Sequence, residues 1–216
     1  NRPGGASNPS GTFTVPFAVD TDELTNYELG WKLDLLDSNL RFNGAVFFSD
    51  IEDLQTGIFD ASITNLFFTD NAADAEVKGV EGDILWMPDS VDGLTVSGSF
   101  AFNDSEITKV ITPTNDVTKG DSLAFAPEFQ FSLRARYEWS IGSGRVAHFM
   151  PHATYSDASY SDIITINRAK MDDWLMLGFT AGVTVDNWSA EFFAENITDE
   201  TAEISRSFIY DRHRSY

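Results

Sequence analysis

The chain has 216 residues, 42% of them hydrophobic, and its 34 acidic against 14 basic side chains give a formal net charge of −20. That balance argues against a nucleic-acid binder, which needs clustered Lys and Arg, and the lack of cysteine excludes disulfides and thiolate metal sites. No run of about 18 apolar residues occurs, so a transmembrane helix is excluded, whereas membrane-spanning strands of ~9–11 residues are not.

The chain begins Asn1-Arg2-Pro3-Gly4-Gly5, with no initiator Met, basic n-region or apolar core of a signal peptide. An exported protein needs such a signal, so the expectation is an internal piece of something longer. The first strand is Tyr27-Glu28-Leu29-Gly30-Trp31-Lys32-Leu33-Asp34-Leu35, where odd positions are large and apolar and even ones polar or Gly. Strand side chains alternate between faces, so one face is oily and the other wet. After a turn at Asp37-Ser38-Asn39, the second strand sets Leu40, Phe42, Gly44, Val46 and Phe48 against Arg41, Asn43, Ala45, Phe47 and Ser49.

A long loop is expected from about Asp50 to Asp74, carrying Asp50, Glu52, Asp53, Asp60, Asp70 and Asp74 with no Lys or Arg. The third strand, Glu76 to Met87, changes phase near Gly79, which predicts a bulge there. A short turn from Pro88 to Gly93 leads to the fourth strand, with Leu94, Val96, Gly98, Phe100 and Phe102 on one face. A second polar loop covers about Ser105 to Ser122. The fifth strand places Phe129, Phe131, Leu133, Ala135, Tyr137 and Trp139 opposite Glu128, Gln130, Ser132, Arg134, Arg136 and Glu138. A wholly apolar face backed by a charged one reads as lipid-out and lumen-in.

The turn Ile141-Gly142-Ser143-Gly144 precedes a weaker sixth strand, Val146 to Tyr155, where Pro151 lacks a ladder donor and predicts an irregularity. A third loop, about Ser156 to Asp173, leads to the seventh strand with Leu175, Leu177, Phe179, Ala181, Val183 and Val185 on one face. Asp186-Asn187 makes a tight hairpin turn. The eighth strand, Trp188 to Ile197, sets Trp188, Ala190, Phe192 and Ala194 against Ser189, Glu191, Phe193 and Glu195, and a polar tail runs from Thr198 to Tyr216.

Connections alternate short and long, and Trp31, Trp86, Tyr137, Trp139 and Trp188 lie near the short-turn ends, as rings at a membrane interface do. The expected fold is therefore all-β: a transmembrane antiparallel β-barrel wall of about eight consecutive strands. Short turns near Ser38, Ser90, Ser143 and Asn187 face the periplasm, and loops near Ser62, Thr114, Ile164 and Glu203 face outside.

Chemistry-bearing residues are few. His148 and His152 share a strand face but lack a third convergent ligand, so they read as lumen polarity rather than a metal site. The acidic loop with Asp50, Glu52, Asp53 and Asp70 has no EF-hand spacing and reads as solvated charge. No nucleophile-elbow sequence is present, so no catalytic residue is assigned and the chain is not expected to be an enzyme. Neither a cofactor site nor a metal site is assigned. Asn103, Asn187 and Asn196 sit in glycosylation sequons, which would carry little meaning were the strands bacterial. Phe47 and Phe193 point inward by alternation, where packing explains them as well as ligand contact does. Two other architectures stay open: a secreted β-sandwich carbohydrate-binding module, and a complete eight-stranded barrel. In the latter, Lys32, Arg41, Arg134 and Arg136 would crowd a narrow interior.

Five segments, in order, resemble the TonB-dependent outer-membrane receptors. They are Thr25-Asn26-Tyr27-Glu28-Leu29-Gly30-Trp31-Lys32, Ala75-Glu76-Val77-Lys78-Gly79-Val80-Glu81, Gly93-Leu94-Thr95-Val96, Ala126-Pro127-Glu128-Phe129 and Ala194-Glu195-Asn196-Ile197-Thr198-Asp199. Arg2-Pro3-Gly4-Gly5 also resembles a loop of this family. The resemblance implies a 22-stranded barrel with an N-terminal plug, in a Gram-negative outer membrane, importing a scarce nutrient such as a ferric siderophore with energy relayed by TonB. On that frame residues 1–216 form a single partial barrel domain, the fourteenth to twenty-first strands, without plug, TonB box or closing strand. Implied partners are outer-membrane lipid, the receptor's own plug, the TonB complex through the missing N-terminal part, and a small-molecule or metal-chelate ligand. The loops near 50–74, 105–122 and 156–173 would help capture that ligand. Which residues touch it stays unassigned, with siderophore, cobalamin and saccharide all open.

Overall fold

The structure, a computed structural model, describes residues 2–5, 18–59, 67–111 and 116–206. Eight strands form one antiparallel sheet: β1 (Glu23–Leu35), β2 (Leu40–Phe59), β3 (Phe67–Trp86), β4 (Leu94–Val110), β5 (Phe129–Gly142), β6 (Arg145–Ser156), β9 (Trp174–Val185) and β10 (Trp188–Ala194). Between β6 and β9 lie the two-residue strands β7 (Ser159–Tyr160) and β8 (Lys170–Met171), with a single 3-10 turn at Thr165–Asn167. The eight long strands are the eight expected from alternation, and each pairs with its sequence neighbour in the sheet order β1-β2-β3-β4-β5-β6-β9-β10.

Register keeps the two faces separate across the whole sheet. One row runs Trp31, Gly44, Gly82, Phe100, Phe131, Tyr155, Leu175, each directly opposite the next. The adjacent row runs Gly30, Ala45, Glu81, Ala101, Gln130, Ser156, Trp174. A slip of one residue anywhere would exchange these rows, so the pattern itself pins the pairing. The first face is aromatic: Trp31 packs on Phe42 at 5.7 Å, Phe131 on Tyr155 at 5.7 Å, Tyr137 on Trp139 at 5.6 Å and Phe149 on Phe179 at 5.5 Å. Yet it is not covered. Tyr27 is 65% exposed, Leu29 72% and Phe192 64%. A contiguous apolar surface of this extent has no place in water.

Exposure and strand pairing favour neither alternative architecture. A β-sandwich buries its apolar face against a second sheet, but among the described residues the second sheet is only β7–β8. A closed eight-stranded barrel needs β1 to pair with β10. Among the described residues β1 pairs with β2 alone and β10 with β9 alone.

The tight turns fall where expected, with left-handed backbone at Leu36, Asp37 and Ser38 (φ 52°, 53° and 74°), Gly93 (81°), Gly142, Ser143 and Gly144 (90°, 53° and 71°) and Asp186 (51°). Opposite Pro151, the β5–β6 ladder has no pair at Ala135 or Arg136, although Arg134↔His152 and Tyr137↔Phe149 keep one register across the gap.

Two expectations are corrected. The segment 50–74 is not mostly loop, because β2 continues to Phe59 and β3 starts at Phe67; likewise β4 continues to Val110. Beyond the bilayer a ladder still satisfies the backbone, while the apolar stripe is no longer required, so alternation fades before the strand ends. The bulge expected at Gly79 is absent: β2–β3 and β3–β4 pair without a shift there. Lys78, facing outward with Val80, causes the apparent phase change, and it ion-pairs with Asp104 at 3.0 Å. The real irregularities lie higher, between Ile51 and Leu54, Leu54 and Gln55, and Asp74 and Ala75. Asp53 adopts φ 56° at the first of them.

The buried core sits above the apolar band rather than within it. Ile58, Phe68, Ala72, Ala73 and Ile107 of the extended strands pack with Val117, Ile163 and Ile164 of the outer loops.

Candidate functional site: lumen wall and outer loops

Alternation and register bring the inward residues of β1 to β6 together as an open trough of about 870 Å³, lined by Glu28, Lys32, Asn43, Glu81, Asp83, Ser99, Gln130, Ser132, Thr154 and, at its outer end, Trp174. Polar contacts tie neighbouring side chains on this face, within the trough and toward the short turns. Arg41 donates to Asp34 at 2.8 Å, Asn43 to Asp83 at 3.0 Å, and Arg136 to Glu138 at 2.6 Å. Lys32, Arg41, Arg134 and Arg136, which would crowd a narrow barrel, share the inward face of a sheet that does not close on itself among the described residues.

His148 and His152 share the inward face of β6 but do not converge. His152 Nε2 lies 2.8 Å from Glu195 Oε2, whereas His148 Nε2 is 3.4 Å from Glu191 Oε1, an ion-pair separation without a hydrogen bond. Glu191 is on β10, two strands away, and Glu195 directly follows that strand's last residue, Ala194. The rings reach them across Gly178 and Gly182 of β9, where an added β-carbon would lie 2.4 Å from His152 Nε2 and 2.5 Å from His148 Cε1. Each rung continues to β5, where Arg134 faces His152 and Glu138 faces His148. Among the described residues no group of three or more His, Asp or Glu side chains could hold a metal ion.

Of the acidic residues from 50–74, Asp50 and Glu52 lie on β2, Asp53 on its bulge, and Asp70 and Asp74 on β3; Asp60 lies outside the described residues. Asp74 Oδ1 accepts the Asp53 amide at 3.0 Å while its Oδ2 takes Lys109 Nζ at 3.0 Å. The Asp74 carboxylate thus ties the β2 bulge to β4. Phe47 faces Gly79 directly on the inward side, and Phe193 of β10 stands between Glu191 and Glu195 in the chain. Asn103 is on β4, Asn187 in the β9–β10 turn, and Asn196 Oδ1 accepts the Glu200 amide at 2.8 Å.

Two arrangements lacked a sequence signal. Asn71 is buried, accepts from the Asp20 amide at 2.7 Å, and donates to Asp20 O at 3.0 Å and Asp53 O at 2.6 Å. With Gln55 and the Arg2–Asp22 pair, it docks residues 2–5 and 18–22 onto the β2–β3 extension. Arg168 of the third loop is likewise surrounded by partners from both outer loops. Beside it, Tyr155, Asp157, Tyr160, Lys170 and Asp173 line a smaller cleft of about 430 Å³.

Comparison with known proteins gives a consistent result. The family model described as TonB dependent receptor-like, beta-barrel matches residues 2–197. The metal-pseudopaline receptor CntO of Pseudomonas aeruginosa is 30% identical over 132 residues, covering 61% of this chain and 17% of that protein. The probable TonB-dependent siderophore receptor PiuA of Acinetobacter baumannii is 23% identical over 156 residues, covering 67% of this chain and 19% of that protein. Among solved structures, the ferric yersiniabactin uptake receptor FyuA of Yersinia pestis superposes with a TM-score of 0.67 at 17% identity, over 91% of this chain and 28% of that one. The ferric-catecholate import receptor Fiu of E. coli K12 does so with a TM-score of 0.66 at 17% identity, over 94% and 27%. The chain thus spans under a fifth of the curated relatives it matches.

Proposed function

The chain belongs to the TonB-dependent receptor β-barrel family, and from that premise we propose that it supplies eight consecutive wall strands of a receptor that actively imports a scarce nutrient. The receptor sits in a Gram-negative outer membrane. The observation that carries the reading is one continuous sheet with an uncovered aromatic face and a polar trough on the other side. The aromatic face meets lipid. The trough gives a hydrated wall to a lumen closed by a plug contributed by another part of the protein, and energy arrives through that part from TonB. Residues 1–216 form a single barrel segment rather than a separate module, and they do no covalent chemistry.

The cargo is of the ferric-siderophore or metal-chelate class. Support comes from the relatives, named for metal-pseudopaline and siderophore. Locally, the outer loops at 116–128 and 157–173 surround the cleft bearing Tyr155, Tyr160 and Lys170. The test is uptake of radiolabelled ferric chelates by cells carrying or lacking the full-length gene, under iron restriction, with TonB present or deleted. Uptake that needs both gene and TonB is expected. Uptake indifferent to TonB, or unaffected by loss of the gene across a broad chelate panel, would overturn the reading.

A further inference from the structure

Above the apolar band, the two outer loops are not separate flaps. Val117 from the β4–β5 loop and Ile163 and Ile164 from the β6–β9 loop insert side by side against Ile58, Phe68, Ala72 and Ile107. Ala75 and Ile107 are directly paired and lie, by strict register from Glu81 and Ala101, on the lumen side of the sheet. The loops are therefore folded inward, over the mouth of the trough. Their backbones are also joined. The Thr165 amide donates to Asp116 O at 2.6 Å and its hydroxyl to the same oxygen at 2.8 Å, while the Phe125 amide donates to Tyr160 O at 2.8 Å.

Arg168 locks the pair. Its side chain is only 10% exposed, and it donates through Nη1 to Ser122 O and Asp162 O, each at 2.9 Å, and through Nη2 to Ser122 Oγ at 3.0 Å. Asp121 Oδ2 lies 3.5 Å from Nε, and the guanidinium sits 3.9 Å over the Tyr160 ring. A guanidinium removed from water is tolerated only when its donors are met. Opening either loop would strip those partners and expose Ile163 and Ile164 together.

We infer that residues 116–125 and 157–171 form one preset shelf over the lumen mouth, closed as a unit by Arg168, so that the opening offered to cargo is shaped before cargo arrives. The shelf's role at the mouth rests on the uptake reading, but its rigidity is measured without it.

Hydrogen exchange of the full-length receptor in detergent micelles, with no chelate added, tests the inference. The amides of Ile107, Gly120, Phe125 and Thr165 should be protected as strongly as those of β2 and β5. Arg168→Ala should speed exchange on the order of tenfold or more in both loops together, leaving β5 unchanged, with Arg168→Lys intermediate. Thr165→Val, which removes only the hydroxyl bond, gives a milder variant should Arg168→Ala fail to fold. Rapid exchange of either loop in the native receptor, or a loss confined to 157–171 in the variant, would overturn it. Neither result bears on TonB-dependent uptake, which is read separately.

Discussion

His152 of β6 and Glu195, the residue that follows β10, are hydrogen-bonded at 2.8 Å although β6 and β10 are not neighbours in the sheet. The contact exists because β9, which runs between them, carries Gly178 at the crossing point. A wall of this kind is held laterally by its ladder hydrogen bonds, and the His152–Glu195 bond adds a second tie that skips one strand.

Gly178→Ala should therefore destabilise the barrel by ~1–3 kcal/mol. The new methyl meets His152 Nε2 at 2.4 Å and the Ala194 carbonyl at 2.8 Å. His152→Ala in the same background should recover the side-chain part of that loss and leave the carbonyl part. Urea unfolding of the full-length receptor in vesicles, run as a double-mutant cycle, measures the coupling. Strictly additive losses would show that the ring does not depend on the glycine.

The lipid-out assignment makes a second, sharper demand on adjacent residues. Leu133 sits midway along β5 on the aromatic face, and Ser132 beside it lines the trough. Leu133→Arg should cost ~2–4 kcal/mol of folding into lipid, as a charge near the bilayer midplane does, and Ser132→Arg far less. Equal penalties for the two would mean that the faces are assigned wrongly.

Strand identity and facing were legible because a bilayer enforces period-two alternation residue by residue, as in Tyr27 to Leu35. Strand length was not. Past Phe48 the outward residues become Asp50 and Glu52, and polar alternation in water looks the same in a strand as in a loop. Lys78 illustrates the same limit: its outward place above Val80 marks the end of the apolar band, but in sequence it mimics a bulge. The ties made by Asn71 and Arg168 join segments far apart in the chain. Asn71 reaches back to Asp20 and Arg168 to Ser122, and neither has a local motif to announce it.

At the outer edge, Asp22 should confer an acid sensitivity on the docked N-terminal segment. Burial opposes its ionisation, but hydrogen bonds from the Arg2 side chain and amide prevail and hold the carboxyl below its ordinary value. A depressed folded-state value means that the stabilisation is present above the ordinary carboxylate range and is lost as pH falls through the lower folded value. The paired amides of Gly5 and Val19 should lose protection at that point, once exchange is corrected for intrinsic pH dependence. Arg2→Gln should show weak protection already at neutral pH and little further change in acid. Protection in this variant that matches the native profile would assign the docking to other contacts.

Asn71 separates hydrogen bonding from mere packing in the same region. It is 7% exposed, and its amide meets the Asp20 N–H, the Asp20 carbonyl and the Asp53 carbonyl at once. Asn71→Leu keeps the branched shape but strands all three backbone groups, which should cost ~1–3 kcal/mol and release residues 18–22 to protease in the full-length receptor. Asn71→Asp keeps the acceptor for Asp20 N–H but points a carboxylate at two carbonyl oxygens, with Asp53 and Asp70 close in the same turn of chain. At neutral pH it should be the worse of the two variants. Burial beside acceptors raises a carboxyl's pKa, so near pH ~5 the protonated acid can donate to one carbonyl and regain part of the loss. Protease resistance at residues 18–22 reads this directly: an Asp variant indistinguishable from the native receptor at neutral pH, or one with no recovery in mild acid, would show that the amide's two donated bonds do not hold the segment.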